Sequence, residues 1–366
     1  MNEGLTNRVL EEVMGWDDDT IAREATWLRS ISDYKYDSYR DYLGGMRFSE
    51  CLVDWLQQFR RDHRQVAYDY IRNNLIFISY PEIQHLVECL FPAFVEPIVS
   101  ADVSFRLNTP QYLLWRHPHA SREFAEEIRK TLFIGLSDGA RIDILRRANE
   151  RRISNEQVLV TTQVNETKWA DVLAELRKDL GQKEARFKRV FLIDDFVGSG
   201  RTLIRRKENG DWTGKIKKFR ADHPSIFETH FDDDWTLYVH HHIASVQAKD
   251  WVESNELEAK TELGSDWFRK VSFSYGVVLP EAVRLDENRD SAFWSLTEDY
   301  YDKVIDENRA IQVGGETAQR GFGGCALPLI LEHNTPNNSL ALLWAETEGK
   351  KGHAMRPLFR RAQRHW

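Results

Sequence analysis

The stretch that decides the fold covers residues 189–202 and reads Arg-Val-Phe-Leu-Ile-Asp-Asp-Phe-Val-Gly-Ser-Gly-Arg-Thr. Residues 190–193 are four apolar residues without alternation, which indicates a central parallel strand covered on both faces. Asp194 and Asp195 follow at the carboxyl end of the predicted strand, where open α/β sheets bind ligands. The stretch therefore predicts an α/β fold with a doubly wound, mainly parallel sheet and a carboxylate pair at its ligand-binding edge.

A turn of small residues follows the carboxylate pair and suits a phosphate group. The two glycines in it can take backbone conformations closed to other residues, so the main chain can approach an anion closely. We expect a helix to start next, so that backbone amides and hydroxyls face a phosphate at its positive end. An ordinary strand-to-helix turn beside an exposed acidic pair is the alternative interpretation. The predicted phosphate-binding residues are Gly198, Ser199, Gly200, Arg201 and Thr202.

Composition places the chain among globular proteins. It has 366 residues, of which 42% are hydrophobic and 30% charged, and this profile is typical of a water-soluble protein. No apolar run approaches the length of a membrane span, and the N-terminal residues do not resemble a signal peptide. The three cysteines are too few and too far apart for a disulfide framework or a zinc site. We therefore expect a cytoplasmic protein with no membrane association and with reduced thiols at Cys51, Cys89 and Cys325.

Net charge bears on the class of partner. The chain carries a net charge of −8, which argues against a uniformly basic surface that coats nucleic acid. Its 12 tryptophans and 12 tyrosines are many for this length, but scattered aromatic residues are more typical of a core than of base-stacking platforms. A nucleic-acid partner is therefore not indicated by the net charge.

The pattern of apolar residues divides the chain into two domains. Up to about residue 100 the apolar spacing of three and four predicts helices, and from about residue 131 short strands alternate with helices, as in a parallel sheet. We predict an α-helical domain over 1–120 and an α/β domain over 121–366, with a glycine-rich C-terminal segment that closes the site. Segment 205–234 reads as a polar insertion or an exposed helix and loop, and its Asp232, Asp233 and Asp234 as a solvated turn.

A second loop follows the first predicted strand of the sheet, at the same edge as the carboxylate pair. Gly139 permits close backbone approach, and Arg141 offers a charged fork that suits phosphate. The alternative, weighed equally, is a simple helix cap made by Ser137 or Asp138, with Arg141 exposed to solvent. The predicted pyrophosphate-binding candidates are Ser137, Asp138, Gly139 and Arg141.

Three consecutive histidines at 240–242 raise the question of a metal site. On a strand, His240 and His242 would share one face while His241 points to the other. Because no third ligand is identifiable, structural histidines at a strand end are the favoured interpretation over a metal site.

The carboxylate pair and the turn after it resemble the phosphoribosyl-pyrophosphate motif of type I phosphoribosyltransferases. In that family an acidic pair holds the ribose hydroxyls, directly or through magnesium, and the following loop cradles the 5′-phosphate. The resemblance implies that Asp194 and Asp195 are the catalytic and Mg²⁺-binding residues, and that residues 198–202 bind the phosphate. Position 198 is often threonine in the family and is Gly198 here, which removes one hydroxyl contact.

A narrower resemblance covers most of the chain in short patches. The chain is similar to phosphoribosyltransferase-like proteins of prokaryotic conflict, or anti-phage, systems. This resemblance implies an effector or accessory role in antiviral defence within a multi-component system. The patches are residues 77–82, 136–143, 154–157, the motif stretch itself, 321–324, 333–338 and 343–344.

Two functions of different class follow from these features. In the first, the protein is a glycosyltransferase-type enzyme that binds phosphoribosyl pyrophosphate or a nucleotide with Mg²⁺ and makes or breaks an N-glycosidic bond. Positioning and charge stabilisation carry most of that chemistry, so few residues are needed. In the second, the fold is a non-catalytic module that senses a nucleotide or docks a partner protein, because the sequence has no clear flexible lid: segment 162–188 is predicted to be mostly helical.

Overall fold

The chain forms two compact units. A computed structural model describes residues 3–361. The first unit contains the described residues up to Glu82 together with those from Pro280 onwards, and the second runs from Ile83 to Leu279. The domain boundary predicted between residues 120 and 121 thus falls inside the second unit, and the predicted C-terminal domain has residues in both.

The first unit is helical, as predicted for the N-terminal region. Strand β1 (Ile76–Ile78) pairs in parallel with β9 (Leu329–Leu331), and this pairing joins the C-terminal segment to the N-terminal helices. The α-helices of this unit are α1 (Glu3–Met14), α2 (Asp18–Tyr34), α3 (Phe48–Gln57), α4 (Arg64–Asn74), α13 (Ser291–Asp299), α14 (Arg309–Gln312) and α15 (Ala341–Trp344).

The second unit is the α/β part, and it begins within helix α5 (Tyr80–Leu90). A π-helical segment, Phe91–Val95, carries α5 directly into α6. The strands are β2 (Thr131–Gly135), β3 (Val158–Leu159), β4 (Phe187–Val197), β5 (Arg205–Arg206), β6 (Trp212–Thr213), β7 (Phe231–Ser245) and β8 (Val271–Leu279). The remaining α-helices are α6 (Glu96–Arg106), α7 (Ala120–Arg129), α8 (Ile142–Ala148), α9 (Glu166–Leu180), α10 (Lys215–Asp222), α11 (Pro224–Thr229) and α12 (Val246–Leu263).

Short 3₁₀ helices complete both units. In the second unit they are Gln111–Arg116, Asp138–Ala140, Asn155–Gln157 and Gly264–Asp266. In the first unit they are Tyr36–Ser38, Arg40–Gly44, Glu281–Val283, Lys303–Glu307 and Phe322–Gly324.

The central sheet has five strands in the order β3-β2-β4-β7-β8, and every neighbouring pair is parallel. Counted along the chain, these strands are arranged 2-1-3-4-5, which is a common order of doubly wound sheets. In this order the connections that leave the first and third strands, which are β2 and β4 here, run to opposite faces of the sheet. Ligands bind such sheets outside the carboxyl ends of the strands at that switch point. The predicted fold class is confirmed.

Segment 205–234 differs from its prediction. It forms a two-stranded antiparallel hairpin of β5 and β6 and the short helices α10 and α11. The prediction of an exposed polar insertion was wrong, because the segment buries Ile216, Phe219, Ile226 and Phe227 in the core. The three aspartates 232–234 belong to strand β7 instead of a solvated turn.

The middle of the sheet is held by a row of stacked aromatic rings. Phe133, Phe191 and Tyr238 are register partners on β2, β4 and β7. The ring centroids of Phe133 and Phe191 lie 5.6 Å apart, and those of Phe191 and Tyr238 lie 4.7 Å apart with nearly parallel planes. Side chains of neighbouring strands at one register position face the same way, so this row spans three strands.

Within residues 3–361, no helix combines the length and the apolar character that crossing a bilayer requires.

The aromatic row predicts where the sheet is most sensitive to mutation. We expect Phe191→Ala to lower the free energy of unfolding by about 3–5 kcal/mol, because a fully buried ring is removed from between two others. Phe105→Ala is the matched control, since Phe105 is exposed, and it should change stability by less than about 0.5 kcal/mol. Urea denaturation of both variants measures the difference, and equal effects would contradict the assignment.

Candidate functional site

The carboxylate pair lies where two β-ladders of the same strand end at different positions. On one side of β4 the pairing with β2 ends at Gly135 and Ile193, and the Leu136 amide donates to the Ile193 carbonyl at 2.8 Å. On the other side, pairing with β7 continues to Val197. The pair was predicted at the end of the strand, but β4 continues two residues beyond it, to Val197. Asp194 and Asp195 therefore lie beyond the end of β2 while their own backbone is still part of the sheet.

Asp194 is buried and has two side-chain partners from distant parts of the chain. The hydroxyl of Ser137 donates to Oδ1, and the ammonium of Lys215 donates to Oδ2 at 2.7 Å. Burial raises the pKa of Asp194, the neighbouring Asp195 raises it further, and Lys215 and Ser137 oppose this rise. A buried carboxylate beside a second one needs such a cation to stay ionised.

Asp195 supports the loop that carries Ser137. Its Oδ1 accepts a hydrogen bond from the Phe196 amide at 2.7 Å. A Cβ atom built on Gly139 would lie 2.3 Å from Asp195 Oδ2, which is closer than any real contact. Glycine at position 139 is therefore what lets this backbone lie directly on the carboxylate, whereas the sequence pattern had predicted close approach to a pyrophosphate.

The loop of residues 137–141 forms the cap that was the alternative interpretation, and its pyrophosphate-binding role stays a prediction. Ser137 caps the 3₁₀ turn Asp138–Ala140 by accepting the Gly139 amide at 3.1 Å, and it also contacts Asp194. Arg141 has a positive φ of 48° and is half-buried, so the interpretation of it as a solvent-exposed residue was wrong. Its charge lies close enough to lower the pKa of His242. Asp138 is exposed.

The predicted helix after the carboxylate pair is absent. Residues 198–203 form bends and turns, the hairpin of β5 and β6 follows, and the next helix begins only at Lys215. The Gly200 carbonyl accepts the amides of Leu203 and Ile204, at 3.0 and 3.1 Å, so a single turn closes and does not continue. The phosphate-binding prediction therefore depends on a turn and has no support from a helix dipole.

This turn is packed tightly against helix α12. Gly200 has a φ of 72°, and a Cβ there would lie 2.7 Å from Val252 Cγ1 and 2.8 Å from Trp251 Cδ1. The Gly198 carbonyl accepts the Ser245 hydroxyl at 2.5 Å. These contacts fix the path of the backbone through both glycines.

The side chains of the turn point to different surroundings. Ser199 is buried and its hydroxyl accepts the Arg201 amide at 3.4 Å, whereas Thr202 is exposed. The guanidinium of Arg201 lies over the ring of Trp251, 4.5 Å from its centroid. A phosphate-binding role for these residues stays a prediction.

Lys215 is a site residue that the sequence pattern did not single out. Its amide donates to the Thr202 carbonyl at 3.0 Å, and its ammonium reaches Asp194, so one residue ties the turn to the carboxylate pair. The preceding Gly214 has a φ of 122°, and a Cβ there would lie 2.3 Å from the Leu203 carbonyl oxygen. The signal in the sequence that could have identified Lys215 was Gly214 directly before a basic helix.

The three histidines lie on β7 directly beside the carboxylate pair. His241 is the register partner of Asp194 and of Tyr275. His240 and His242 share the other face, with ring centroids 5.1 Å apart, and His240 Nδ1 lies 2.9 Å from the Ser274 hydroxyl. Within residues 3–361 no group of three or more His, Cys, Asp or Glu side chains is placed to hold a metal ion. The geometry agrees with the structural interpretation of these histidines.

All three imidazoles are buried, and burial lowers their pKa. The pKa of His241 falls to about 3, with nearby Lys215 lowering it further and Asp195 opposing the shift. The pKa of His242 falls to about 4, and that of His240 falls well below its usual value. The site therefore sits beside neutral imidazoles at physiological pH.

Comparison with known families agrees with this geometry. The sequence model of the PRTase-CE family, the conflict-associated phosphoribosyltransferases, matches residues 52–361. The chain belongs to this family. The match covers both compact units and includes the carboxylate pair, the 137–141 loop and Lys215. No curated protein and no solved structure matches the chain.

Membership of the PRTase-CE family confirms the resemblance to phosphoribosyltransferase-like proteins linked to conflict systems. The glycine-rich segment at 321–324 lies in the first unit, with positive φ at Gly321, Gly323 and Gly324. Its predicted role in closing the site, like the loop at 333–338, stays a prediction.

The contact between Gly139 and Asp195 makes a testable prediction. We expect Gly139→Ala to lower the free energy of unfolding by about 1–3 kcal/mol, because the added methyl group forces the loop or the carboxylate to move. Gly44→Ala is the matched control, since a Cβ there meets nothing within 4 Å. Urea denaturation would show equal stabilities for both variants if the loop did not lie on Asp195.

The buried histidines predict a loss of stability in acid. The folded-state pKa of His241, about 3, is below the usual 6.5, so the unfolded chain binds the extra proton and stability falls as pH decreases from 6.5 towards 3. We expect His241→Gln to reduce this slope by up to about 1.4 kcal/mol per pH unit.

The control for this prediction is His119→Gln, at an exposed histidine of the same unit. Unfolding free energies measured by urea denaturation across this pH range give the slopes. A slope in His241→Gln equal to that of the wild type would contradict the burial of a neutral imidazole.

Proposed function

We propose that the switch point between β2 and β4 binds phosphoribosyl pyrophosphate or a nucleotide, and that the protein makes or breaks an N-glycosidic bond in that ligand. We further propose that it does so as an effector or accessory protein of an anti-phage defence system. The observation that carries the proposal is the convergence of three segments on one carboxylate: Ser137, Asp194 and Lys215 are hydrogen-bonded together at the carboxyl edge of the sheet.

The surroundings of the carboxylate pair suit a ligand that carries both hydroxyls and phosphates. Asp194 and Asp195 are acceptors for ribose hydroxyls. Lys215 contacts Asp194 directly, and Arg141 and Arg201 carry positive charge on the loops that follow β2 and β4. Charged donors at fixed positions are the main means by which proteins stabilise a departing pyrophosphate.

The oxygen donors of the pair fit Mg²⁺, which takes few protein carboxylates and completes its shell with ligand oxygens and water. Asp194 and Asp195 would hold the ion, which when bound would neutralise phosphate charge. Both Asp194 oxygens accept hydrogen bonds from protein groups, so the Lys215 ammonium and a metal ion compete for the same carboxylate. The half-exposed Asp195 is also the candidate base that steers an incoming nucleophile.

The second candidate function is a non-catalytic module that senses a nucleotide or docks a partner. Two observations favour it. Asp194 is already neutralised by Lys215, and the segment at 162–188, where a mobile lid would be expected, contains the regular helix Glu166–Leu180. Such a site can bind a phosphorylated ligand without turning it over.

Calorimetric titration with phosphoribosyl pyrophosphate, with and without Mg²⁺, tests the proposal. We expect the wild-type protein to bind, and the double variant Asp194→Asn, Asp195→Asn to lose tenfold or more in affinity and to lose its response to Mg²⁺, because amides bind neither metal ions nor hydroxyls as carboxylates do. No binding by the wild type would reject a phosphoribosyl site.

The matched control is Asp233→Asn, Asp234→Asn, which makes the same change in charge at an exposed pair near the start of β7. This variant should bind as the wild type does. It therefore separates a general effect of net charge from a specific effect of the carboxylate pair. Hydrolysis of nucleotides, or transfer from phosphoribosyl pyrophosphate, distinguishes the two functions. Binding without turnover in the wild type would favour the sensing module.

A further inference from the structure

Three large aromatic side chains of the second unit project into solvent. Phe105 is 88% exposed, Tyr112 is 86% exposed and Trp115 is 57% exposed. In residues 81–159, all of which the structure describes, every exposed large apolar side chain is one of these three. Burying such rings is normally favourable, so their grouping within eleven residues of sequence marks a binding surface.

The rings are held on a defined backbone. Tyr112 and Trp115 are three residues apart on the 3₁₀ helix Gln111–Arg116, where side chains at this spacing lie one above the other. The ring of Trp115 packs edge-on against Phe124 of α7, with centroids 5.2 Å apart. Leu114 between them is buried and anchors the segment.

Phe105 extends this surface along helix α6. It lies in the last turn of α6, whereas Gln111 Nε2 donates to the Pro97 carbonyl in the first turn, at 3.3 Å. The 3₁₀ helix therefore folds back along α6. An eleven-residue helix is about 16 Å long, so the aromatic rings are distributed over a length of that order.

The same stretch is positively charged in a chain whose net charge is −8. Residues 103–122 contain no aspartate or glutamate but include Arg106, Arg116 and Arg122 with two histidines. Arg106 and Arg122 pair with glutamates of α7. Arg116 is exposed and forms no ion pair with any residue in 3–361, so its charge is available to an anionic partner.

We infer that this aromatic and basic surface, formed by residues 105–122, binds single-stranded nucleic acid. Flat rings alternating with cations suit unpaired bases and their phosphates, since any base can stack on an aromatic face. The surface has no exposed large aliphatic side chain, so flat ring faces are the large apolar surfaces that it offers to a partner. A base-paired duplex would not expose its base faces to these rings. The inference goes beyond the proposed function and does not depend on it.

Fluorescence anisotropy with labelled oligothymidylate and oligouridylate of about 15 nucleotides tests the inference on the full chain. We expect the wild type to bind at least one of them. The double variant Tyr112→Ala, Trp115→Ala should bind roughly tenfold or more weakly, because two stacking platforms are lost. Arg116→Ala should make the dependence of log affinity on log salt concentration shallower by about 0.7, the contribution of one phosphate contact to a single strand.

Three variants separate base stacking at this surface from the exposure of a ring elsewhere, from general apolar contact and from failure of the phosphoribosyl site. Tyr34→Ala removes an equally exposed ring, also 86%, from helix α2 of the first unit, and it should leave oligonucleotide binding unchanged. Tyr112→Leu keeps an apolar side chain without a flat ring, and it should bind as weakly as Tyr112→Ala. Asp194→Asn with Asp195→Asn should bind oligonucleotides normally, so failure of the phosphoribosyl site is distinguished from failure here.

Three outcomes would overturn the inference. In the first, the wild type binds neither oligonucleotide. In the second, Tyr34→Ala weakens binding as much as the Tyr112 and Trp115 substitutions do. In the third, Tyr112→Leu retains oligonucleotide binding that Tyr112→Ala loses, which would mean that general apolar contact and not base stacking holds the strand.

Discussion

The site depends on the unequal lengths of the two β-ladders that strand β4 forms. Its ladder with β2 ends at Ile193, whereas its ladder with β7 continues to Val197. The backbone of the carboxylate pair is therefore held by pairing on one side, and on the other side, where β2 has ended, Asp194 is buried and Asp195 is half-exposed. The 137–141 loop occupies the space that β2 leaves. A binding constellation on a strand is held more accurately than one on a free loop.

The electrostatics of the site follow from its burial. Low polarity around Asp194 would favour a neutral acid, and Lys215 and Ser137 provide the interactions that favour the ion. The same burial lowers the pKa of the three histidines of β7 and keeps them neutral. Their side chains therefore pack beside the carboxylates without adding charge. The ion pair between Asp194 and Lys215 is thus a charged contact at the centre of the site.

The two candidate functions of the site share this geometry and differ in what Lys215 does. If the ligand draws the ammonium away, the carboxylates become available to ribose and metal. If the ion pair persists, the pocket recognises a phosphorylated ligand and stays inert. Membership of the PRTase-CE family, which links the protein to conflict systems, is compatible with either function.

Short-range patterns predicted much of the fold. The apolar run at 190–193, the glycine at 139 and the alternation of strands and helices after residue 131 are local signals, and the parallel sheet that they predict is confirmed. The helix expected after Gly200 was wrong, since a local pattern of glycines and hydroxyls does not reveal that the chain turns into a hairpin. The aspartates 232–234 looked like a turn, and in the structure they lie in β7 where its register with β4 shifts between Phe231 and Thr236.

The sequence by itself determined the sheet, the carboxylate pair and the need for glycine near an anion, because each depends on neighbouring residues and on backbone sterics. Only the tertiary structure decided that Lys215 pairs with Asp194 across 21 positions and that Ser137 reaches it across 57. It alone decided that Phe105, Tyr112 and Trp115 are exposed while most other aromatic rings are buried. Burial and long-range contact are properties of the packed chain, so composition and spacing cannot supply them.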